Sequence, residues 1–483
     1  MTDNVLQQAV KGWARTAPAH TTELHADRAG FGHFWQRSME LLARLPAKPK
    51  RDAQEAAAAA EILALARDSR TRFMRAHARE VYDSLTAKRS LFVRADELCV
   101  RAALEYPGLL PGPKELERET GCALRDKDGL EADQGIFLSQ VLANPPAGTH
   151  LCHAMLLPRE DSLTRLSEYE KKGELDFAGA HLKREGKASV VTMRNPRYLN
   201  AEDATTLAGL ETAIDLALLD RSSEVCVLRG GAVEHPKYAG RRLFGAGINL
   251  AHLYQGKIPY LWYIVRDLGL VNKLYRGLAL TDASPEVDSI EKLWIAAVEG
   301  FAIGGHCQIL LTMDYTLAAK DAYMTLPARK EGIVPGAANL RLPRFVGDRL
   351  TRQAIMAERR IDCASPEGRL ICDEIVPPQK MDEAISRIVE KLTGSGVVSA
   401  ASNRRAIRTV QEPLDSFRRY MSVYAREQAH CHFSPALIAN LERNWVKSSP
   451  ASAHSATSRS KKRSKPMTQT GRPRHRSRST RGR

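Results

Sequence analysis

From about residue 186 to residue 395, short strand-like segments of this chain alternate with helical segments. Three segments end in glycine or proline and are rich in β-branched and other apolar residues, which is typical of buried strands: GKASVVTMRNP (186–196), SEVCVLRGG (223–231) and KLWIAAVEG (292–300). Between the first two, LNAEDATTLAGLETAIDLALLD (199–220) has the apolar periodicity of a helix. The alternation predicts an α/β core over residues 186–395, because such strands pack as a sheet covered by helices.

The segments on either side of this core differ from it in composition. Residues 1–185 are rich in strong helix formers with apolar residues three and four positions apart, which predicts an all-helical N-terminal domain. Residues 396–447 have the same character and predict a C-terminal helical region. Residues 448–483 contain almost no large apolar side chains, so we expect a disordered basic tail.

The positive charge of the chain is concentrated in that tail. The formal net charge is +16, and 448–483 holds 11 lysines and arginines and no acidic residue, so 16 − 11 leaves +5 elsewhere. A basic tail can bind nucleic acid or an acidic partner by releasing counterions, or it can be a solvated extension. We favour the second interpretation and expect no nucleic-acid partner, because the tail has no aromatic residues between its charges.

Composition also indicates the class of protein. Hydrophobic residues make up 43% and charged residues 27%, as in ordinary globular proteins. No run of about 18 apolar residues predicts a membrane span. The first twenty residues, MTDNVLQQAVKGWARTAPAH, lack the pattern of a signal peptide, so we expect a cytoplasmic protein. The eight cysteines form no C-x-x-C pair and are expected to be reduced, and Cys307 has no partner in the sequence that would activate it as a nucleophile.

Two glycine-rich stretches, GFAIGGHCQILL (300–311) and RLFGAGINLAHL (242–253), follow strand-like segments and lead into helices. The first amides of a helix lack partners within the helix and carry a positive partial charge, and glycine lets an anion approach closely. The glycines could also serve only to let strand and helix pack together. Two such loops aimed at one oxygen would form an oxyanion hole.

Residues 186–395 resemble the crotonase (enoyl-CoA hydratase/isomerase) superfamily in three segments: FGAGINL, AAVEGFAIGGHCQILLTMDYTLAAKDAYMTLP and EGIVPGAANLRLPRFVG. The resemblance implies an α/β, ClpP/crotonase-like spiral core of ββα units that binds an acyl-CoA thioester. It implies that the amides of Ile248 and Gly305 form the oxyanion hole. It also implies a homo-oligomer, either a trimer or a dimer of trimers.

The chain departs from hydratases of this superfamily at the two positions that carry glutamates. The first position is Gln308 and the second is Ala328. An amide and a methyl group cannot act as general bases toward water, so hydration is disfavoured. Glu331 lies three residues after the second position, and we expect it on a helix or turn surface rather than at the reacting centre.

The flanking segments LEYPGLLPGP and DKDGLEADQGIFLSQVL, with the C-terminal RRYMSVYAREQAHCHFSPALIANLERNW, resemble one cofactor-independent oxygenase branch of the superfamily. This resemblance implies conversion of 3,5-dihydroxyphenylacetyl-CoA and O2 to 3,5-dihydroxyphenylglyoxylate and free CoA, in dihydroxyphenylglycine and glycopeptide antibiotic biosynthesis. Enoyl-CoA isomerisation or thioester hydrolysis in the same oxyanion hole remains an alternative. A noncatalytic protein that binds nucleic acid through its tail is a further alternative.

The resemblance also implies roles for individual side chains. Glu202, Arg266 and Gln308 would orient the ring hydroxyls, with Arg276 as the alternative if the register at Arg266 shifts. Glu202 could instead be an acid in the first turn of a helix, and Arg266 could form a surface ion pair with Asp267. The apolar residues implied to line an O2 pocket, or else to be ordinary core, are Leu250 and Ile333. No proton-abstracting base is identified.

We expect no metal, flavin or nicotinamide cofactor. The core has no H-x-x-x-H pair with a carboxylate partner, and HCH (430–432) is interpreted as packing or helix surface. No G-x-G-x-x-G motif follows a strand, since GAGINL lacks the third glycine.

Overall fold

The structure, a computed structural model, describes residues 3–446. Its first part is helical, as predicted. The longest of these helices is capped by Asp52, whose side chain accepts hydrogen bonds from the amides of Gln54 and Glu55 and whose own amide donates one to the Glu55 carboxylate. The N-terminal helices are α1 (Asp3–Ala14), α2 (Leu24–Ala43), α3 (Ala53–Leu85), α4 (Ala95–Glu105), α5 (Pro113–Glu119), α6 (Ala132–Ala143), α7 (Pro145–Leu156) and α8 (Glu160–Lys172).

A seven-stranded sheet forms the centre of the fold, in the order β1-β2-β3-β4-β7-β9-β12. The strands of the molecule are β1 (Glu174–Phe177), β2 (Ala180–Glu185), β3 (Ala188–Met193), β4 (Val225–Gly230), β5 (Leu278–Ala279), β6 (Ser289–Ile290), β7 (Leu293–Val298), β8 (Phe301–Ile303), β9 (Tyr315–Ala319), β10 (Tyr323–Thr325), β11 (Ile361–Asp362) and β12 (Glu374–Val376). Within this seven-stranded sheet, the neighbours β3-β4-β7-β9-β12 all pair in parallel. Strands β3, β4 and β7 are buried at every position, which explains their continuous apolar sequences.

The sheet begins earlier than the sequence predicts. Strands β1 and β2 form an antiparallel hairpin that pairs with β3, and both lie before the predicted boundary at residue 186. Their sequences, ELDF and AHLKRE, mix charged with apolar residues, because only one face of this edge is buried. Such short and mixed segments do not stand out from a helical background in the sequence.

The remaining helices cover the sheet and form the C-terminal region. They are α9 (Leu207–Leu219), α10 (Leu250–Tyr254), α11 (Tyr260–Val265), α12 (Val271–Arg276), α13 (Gly305–Leu310), α14 (Ala328–Glu331), α15 (Ala338–Met356), α16 (Met381–Thr393), α17 (Val397–Gln411), α18 (Leu414–His432) and α19 (Pro435–Leu441). A π-helical turn, Arg266–Leu270, joins α11 to α12. Short 3-10 helices cover Lys48–Lys50, Leu124–Asp126, Pro196–Tyr198, Gly368–Leu370 and Pro378–Lys380, and Glu442–Val446 is a second π-helical turn.

A second, smaller sheet gives the core its spiral character. Strand β8 pairs in parallel with β10, which pairs with β11 in the antiparallel sense. Each unit contributes one strand to the large sheet, one to the small sheet and then a helix, as in β7-β8-α13 and β9-β10-α14. Single bridges from Gly245 to Ala302 and from Glu202 to Ile248 extend the small sheet. The predicted α/β spiral of ββα units is therefore confirmed.

The N-terminal and C-terminal helices pack against each other beside this core. Helix α6 packs on α18 so closely that a Cβ atom on Gly135 would lie 2.5 Å from the Cβ of Ala429. The Tyr260 hydroxyl on α11 donates a 2.6 Å hydrogen bond to the Ala425 carbonyl on α18. The chain up to Leu441 forms one compact unit. No helix within residues 3–446 has both the length and the apolar character needed to cross a membrane. The predicted tail, 448–483, lies outside the described residues.

Candidate active site

The two glycine-rich loops lie side by side at one end of the small sheet. The Ile303 amide donates to the Gly245 carbonyl at 3.0 Å, and the Gly304 amide donates to the Thr325 carbonyl at 2.8 Å. Gly304 has φ 53° and ψ −114°, a conformation that turns the chain from β8 into α13 and that favours glycine. A Cβ atom on Gly305 would lie 2.5 Å from Glu202 Oε2, so only glycine fits there without displacing a buried side chain.

The amides of Ile248 and Gly305 are both available at a cavity between these loops. Glu202 is bridged to the 242–253 loop. Its amide donates to the Gly247 carbonyl at 2.7 Å, and its carbonyl accepts from the Asn249 amide at 2.8 Å. This pairing uses the residues on both sides of Ile248. Among the described residues, neither the Ile248 nor the Gly305 amide donates a backbone hydrogen bond. Both residues line the cavity, so two unpaired donors can converge on one ligand oxygen.

A buried guanidinium connects the polar residues in and next to the cavity. Arg266, in the π-helical turn, donates from Nε and Nη2 to the two oxygens of Glu202 at 2.8 Å each. Its Nη1 donates to Asp267 Oδ1 and to Gln308 Oε1 at 2.9 Å each, and Nη2 also donates to the Gly305 carbonyl at 2.8 Å. Burial alone would raise the pKa of Glu202, but the Arg266 charge holds that pKa below its usual value. The Glu202 carboxylate is therefore ionised.

The predicted polar residues Glu202, Arg266 and Gln308 thus meet in one place. The alternative interpretations of Glu202 and Arg266 do not agree with the structure. Glu202 is not in the first turn of a helix, since α9 begins only at Leu207. The Arg266–Asp267 pair exists but is buried, with side chains 3% and 2% exposed, so the surface interpretation is wrong. Arg276 points elsewhere and donates to Glu412 and Asn272. Arg266 and Gln308 line the cavity, whereas Glu202 is buried against Arg266 and is not among the residues that line it. That the three side chains bind a ring stays a prediction.

The apolar part of the cavity is formed by residues after β10 and by the turn before α15. Ile333 lies there with Leu326, Ala328, Val334 and Pro335. Leu250, by contrast, is the first residue of α10, is half-buried and is not among the residues that line this cavity. A role for either residue at O2 stays a prediction, and the geometry supports it for Ile333.

Comparisons with known proteins agree with this geometry. Residues 183–432 match the family model described as enoyl-CoA hydratase/isomerase, which is more than half of the chain. The chain belongs to the enoyl-CoA hydratase/isomerase family. It is 46% identical over 395 residues to a (3,5-dihydroxyphenyl)acetyl-CoA 1,2-dioxygenase from Amycolatopsis orientalis, covering 82% of this chain and 90% of that protein. It is 29% identical over 238 residues to a short-chain-enoyl-CoA hydratase from Clostridium acetobutylicum, covering 49% of this chain and 83% of that protein.

Among solved structures, an enoyl-CoA hydratase/isomerase from Xanthobacter autotrophicus Py2 is 20% identical with a TM-score of 0.46. The match covers 59% of this chain and 99% of that one.

Within this family, the cavity lacks a carboxylate at both hydratase positions. The Gln308 carbonyl oxygen is occupied by Arg266, which leaves its amide group for a ligand. A Cβ on Gly336 would lie 2.3 Å from Gln308 Oε1, so the turn before α15 holds this side chain in place. Ala328 lines the cavity with a methyl group. Neither side chain can activate water for addition to an enoyl thioester.

Glu331 is the main site residue that sequence reasoning placed wrongly. The sequence RKEG suggested a charged surface turn, but Glu331 is 4% exposed and lines the cavity. Burial raises the pKa of its carboxyl to about 8. Its position follows from the fold, because Gly332 with φ 76° ends α14 against Leu437 of α19 and turns the last side chain of α14 inward.

Helices α11 and α18 each add an aromatic residue that the sequence did not single out. Tyr424 of α18 lines the cavity and hydrogen-bonds Asp267. Burial raises the pKa of Asp267 despite its bond to Arg266. Trp262 of α11 also lines the cavity, and its indole N–H is buried without a partner among the described residues. An aromatic residue in a segment without a motif carries no signal in a single sequence.

Three further side chains are buried: Cys307 and His432, which the sequence analysis considered, and His306, which it did not. Burial raises the pKa of Cys307 to about 12, which keeps its thiol protonated. Burial lowers the pKa of His306 to about 4, and its Nδ1 accepts a hydrogen bond from the Gly247 amide at 3.0 Å, so the neutral ring holds the 242–253 loop in place. His432 of the HCH segment is buried and stacks edge-on against Tyr263. Within residues 3–446, no group of three or more His, Cys, Asp and Glu residues is arranged to hold a metal ion.

Proposed function

We propose that this chain is a dioxygenase that converts 3,5-dihydroxyphenylacetyl-CoA and O2 to 3,5-dihydroxyphenylglyoxylate and free CoA. The observation that carries the proposal is the 46% identity to a (3,5-dihydroxyphenyl)acetyl-CoA 1,2-dioxygenase. That identity spans 395 residues and so extends well beyond the 183–432 segment shared with the family as a whole.

The cavity suits the first step of this reaction, which is formation of an enolate. The carbon between the ring and the thioester is acidified by both groups. When its proton leaves, negative charge develops on the thioester oxygen, and the amides of Ile248 and Gly305 can stabilise that charge in a buried site. The substrate carries the CoA group, and no other organic cofactor is part of the proposal.

The polar cluster suits the recognition of a dihydroxylated ring. The free amide of Gln308 lines the cavity and can donate a hydrogen bond to a phenol. The Glu202 carboxylate supports this cluster through its two bonds to Arg266 and does not line the cavity itself. Arg266 holds both side chains at fixed positions, so the ring is oriented by groups that need no rearrangement.

The later steps need no electron carrier, because the enolate itself is oxidised. Its α-carbon forms a bond to O2, and the resulting peroxide attacks the thioester carbonyl and expels the CoA thiolate. The O–O bond then breaks as the second α-proton leaves, so one oxygen atom becomes the ketone and the other enters the carboxylate. We therefore propose a reaction without metal or flavin, whose product is a precursor of dihydroxyphenylglycine in antibiotic biosynthesis.

The test uses full-length protein treated with chelator, with 3,5-dihydroxyphenylacetyl-CoA in air and under argon. Free CoA thiol and the 2-oxo acid are followed by mass, with ¹⁸O2 in a parallel reaction. We expect CoA release only in air and two labelled oxygen atoms in the product. Equal release under argon would identify a thioesterase instead. A migrated double bond in an enoyl-CoA substrate would identify an isomerase.

We further propose that the chain forms a homo-oligomer, a trimer or a dimer of trimers, as is common in this fold. Light scattering at several protein concentrations tests this, and a monomer at all of them would refute it.

A further inference from the structure

We propose that Glu331 takes the α-proton of the bound thioester and returns it to the departing CoA thiolate. The first half of this role applies to any acyl-CoA that is enolised in the cavity, and the second half rests on the proposed function.

The position of Glu331 beside the oxyanion hole is the first argument. Its two carboxyl oxygens lie 3.6 and 3.7 Å from the point that a Cβ atom on Gly304 would occupy. The neighbouring Gly305 supplies an oxyanion amide, and the carbon that loses its proton is one bond from the carbonyl held there. A carboxyl on this side of the Gly304–Gly305 peptide is therefore within reach of the α-carbon.

The second argument is that Glu331 has no other partner. Among the described residues, no hydrogen bond or ion pair engages its carboxyl group, and its neighbours in the cavity include the apolar Leu326, Ile333 and Val334. The nearby carboxylates are occupied, because Glu202 binds Arg266 in two places and Asp267, which also lines the cavity, binds Arg266 and Tyr424. The paired carboxylates are fixed as hydrogen-bond acceptors, whereas the unpaired Glu331 is left to exchange a proton.

The charged groups around Glu331 come from several elements. On its own helix, the charge of Lys330 lowers the pKa of Glu331. The charge of Glu358, which is paired at 2.9 Å with Arg329, raises it. Tyr263 of α11 lines the same cavity, as does the Arg266 cluster described above. Burial outweighs all of these and raises the pKa to about 8. A base with a pKa this high is better matched to a carbon acid than an ordinary carboxylate, while part of it remains ionised at neutral pH.

The proton balance of the proposed reaction fits one carboxyl group. The ionised Glu331 removes the first α-proton, and the C–H electron pair becomes the enolate. After peroxide attack breaks the C–S bond, the Glu331 acid gives that proton to the CoA thiolate. The regenerated carboxylate then removes the second α-proton as the O–O bond breaks, and this proton passes to water when the product leaves.

The test compares wild type with Glu331→Gln, an isosteric change, and with Glu331→Asp, which withdraws the acid by one methylene. Under argon in D2O, deuterium entry at the α-carbon of 3,5-dihydroxyphenylacetyl-CoA is measured by mass and corrected for the buffer reaction. In air, CoA release is measured from pH 6 to 9. The matched control is Glu358→Gln, which removes a nearby carboxylate outside the cavity. Thermal melting verifies that each variant is folded.

We expect Glu331→Gln to slow both exchange and CoA release by roughly 100-fold or more. Wild-type kcat/KM should rise with pH toward a limit set by a group near pH 8, and this dependence should be absent in Glu331→Gln and present in Glu331→Asp. The Glu358→Gln control should stay within about twofold of wild type, since it touches no reacting group.

Two outcomes overturn the inference. One is a Glu331→Gln protein that releases CoA and exchanges deuterium within about threefold of wild type. The other is a wild type that shows neither exchange above buffer nor CoA release, which refutes the proposed function as well. Exchange by wild type without CoA release in air would refute only the dioxygenase, and the loss of that exchange in Glu331→Gln would still support the proton-abstracting role.

Discussion

Replacing Glu331 by glutamine should stabilise the protein at neutral and alkaline pH, even though it removes a group that we place in the reaction. In the unfolded chain a glutamate carboxyl has its ordinary pKa of 4.5, whereas burial raises the pKa of Glu331 in the folded protein to about 8. The folded protein therefore binds a proton that the unfolded chain releases. Stability must fall as pH rises from 4.5 to 8, and glutamine is free of this effect.

The size of the effect follows from the two pKa values. Each pH unit between 4.5 and the working pH lowers the free energy of unfolding by about 1.36 kcal/mol. At pH 7 the wild type is therefore less stable than in acid by about 3 kcal/mol. At pH 5 the loss is below about 1 kcal/mol, and above pH 8 it reaches a constant value near 5 kcal/mol. These losses are a substantial fraction of the free energy of unfolding of a typical domain.

The assay is urea unfolding of wild type and Glu331→Gln at pH 5, 7 and 8.5, at one protein concentration. We expect the difference in the free energy of unfolding to be small at pH 5 and to grow with pH in favour of the variant. Glu358→Gln, which changes an exposed ion pair with Arg329, should show no such growth. A difference that is independent of pH, or a variant less stable than wild type at pH 8.5, would refute the buried and unpaired state of Glu331.

Three further substitutions test other parts of the site. Gly305→Ala should lower kcat about 100-fold, because its Cβ would lie 2.5 Å from Glu202 Oε2 and would displace an oxyanion amide; CoA release measures this, with Gly12→Ala as the control because no atom lies within 4 Å of its added Cβ. Arg266→Met should destabilise the protein by roughly 3–5 kcal/mol in urea unfolding, since it leaves Glu202 buried without its counter-charge; a loss below about 1 kcal/mol would contradict the buried pair. Gln308→Glu should not produce crotonyl-CoA hydration, measured as loss of the enoyl thioester, because the second hydratase position, Ala328, still carries no carboxylate; hydration by this variant would show that the Glu331 carboxyl can act as the second acid.

The sequence by itself determined the features that depend on local backbone chemistry. The glycines at 304 and 305 mark the turn from strand into helix, and GAGINL marks the partner loop. The family resemblance of these two segments, and no tertiary information, assigns the oxyanion amides to Ile248 and Gly305. The residue types at Gln308 and Ala328 excluded a pair of catalytic glutamates without any need for geometry. These conclusions hold because conformation and chemistry within a few residues are set by those residues alone.

Only the tertiary structure decided where the remaining side chains point. Glu331 reads as a surface acid in RKEG, but the packing of α14 against α19, more than a hundred residues later in the chain, turns it into the cavity. Tyr424 reaches Asp267 because α18 packs on α6 and α11, and no local pattern encodes that contact. The free energy that raises the pKa of Glu331 comes from the exclusion of water by elements distant in sequence, and such burial exists only once the chain has folded.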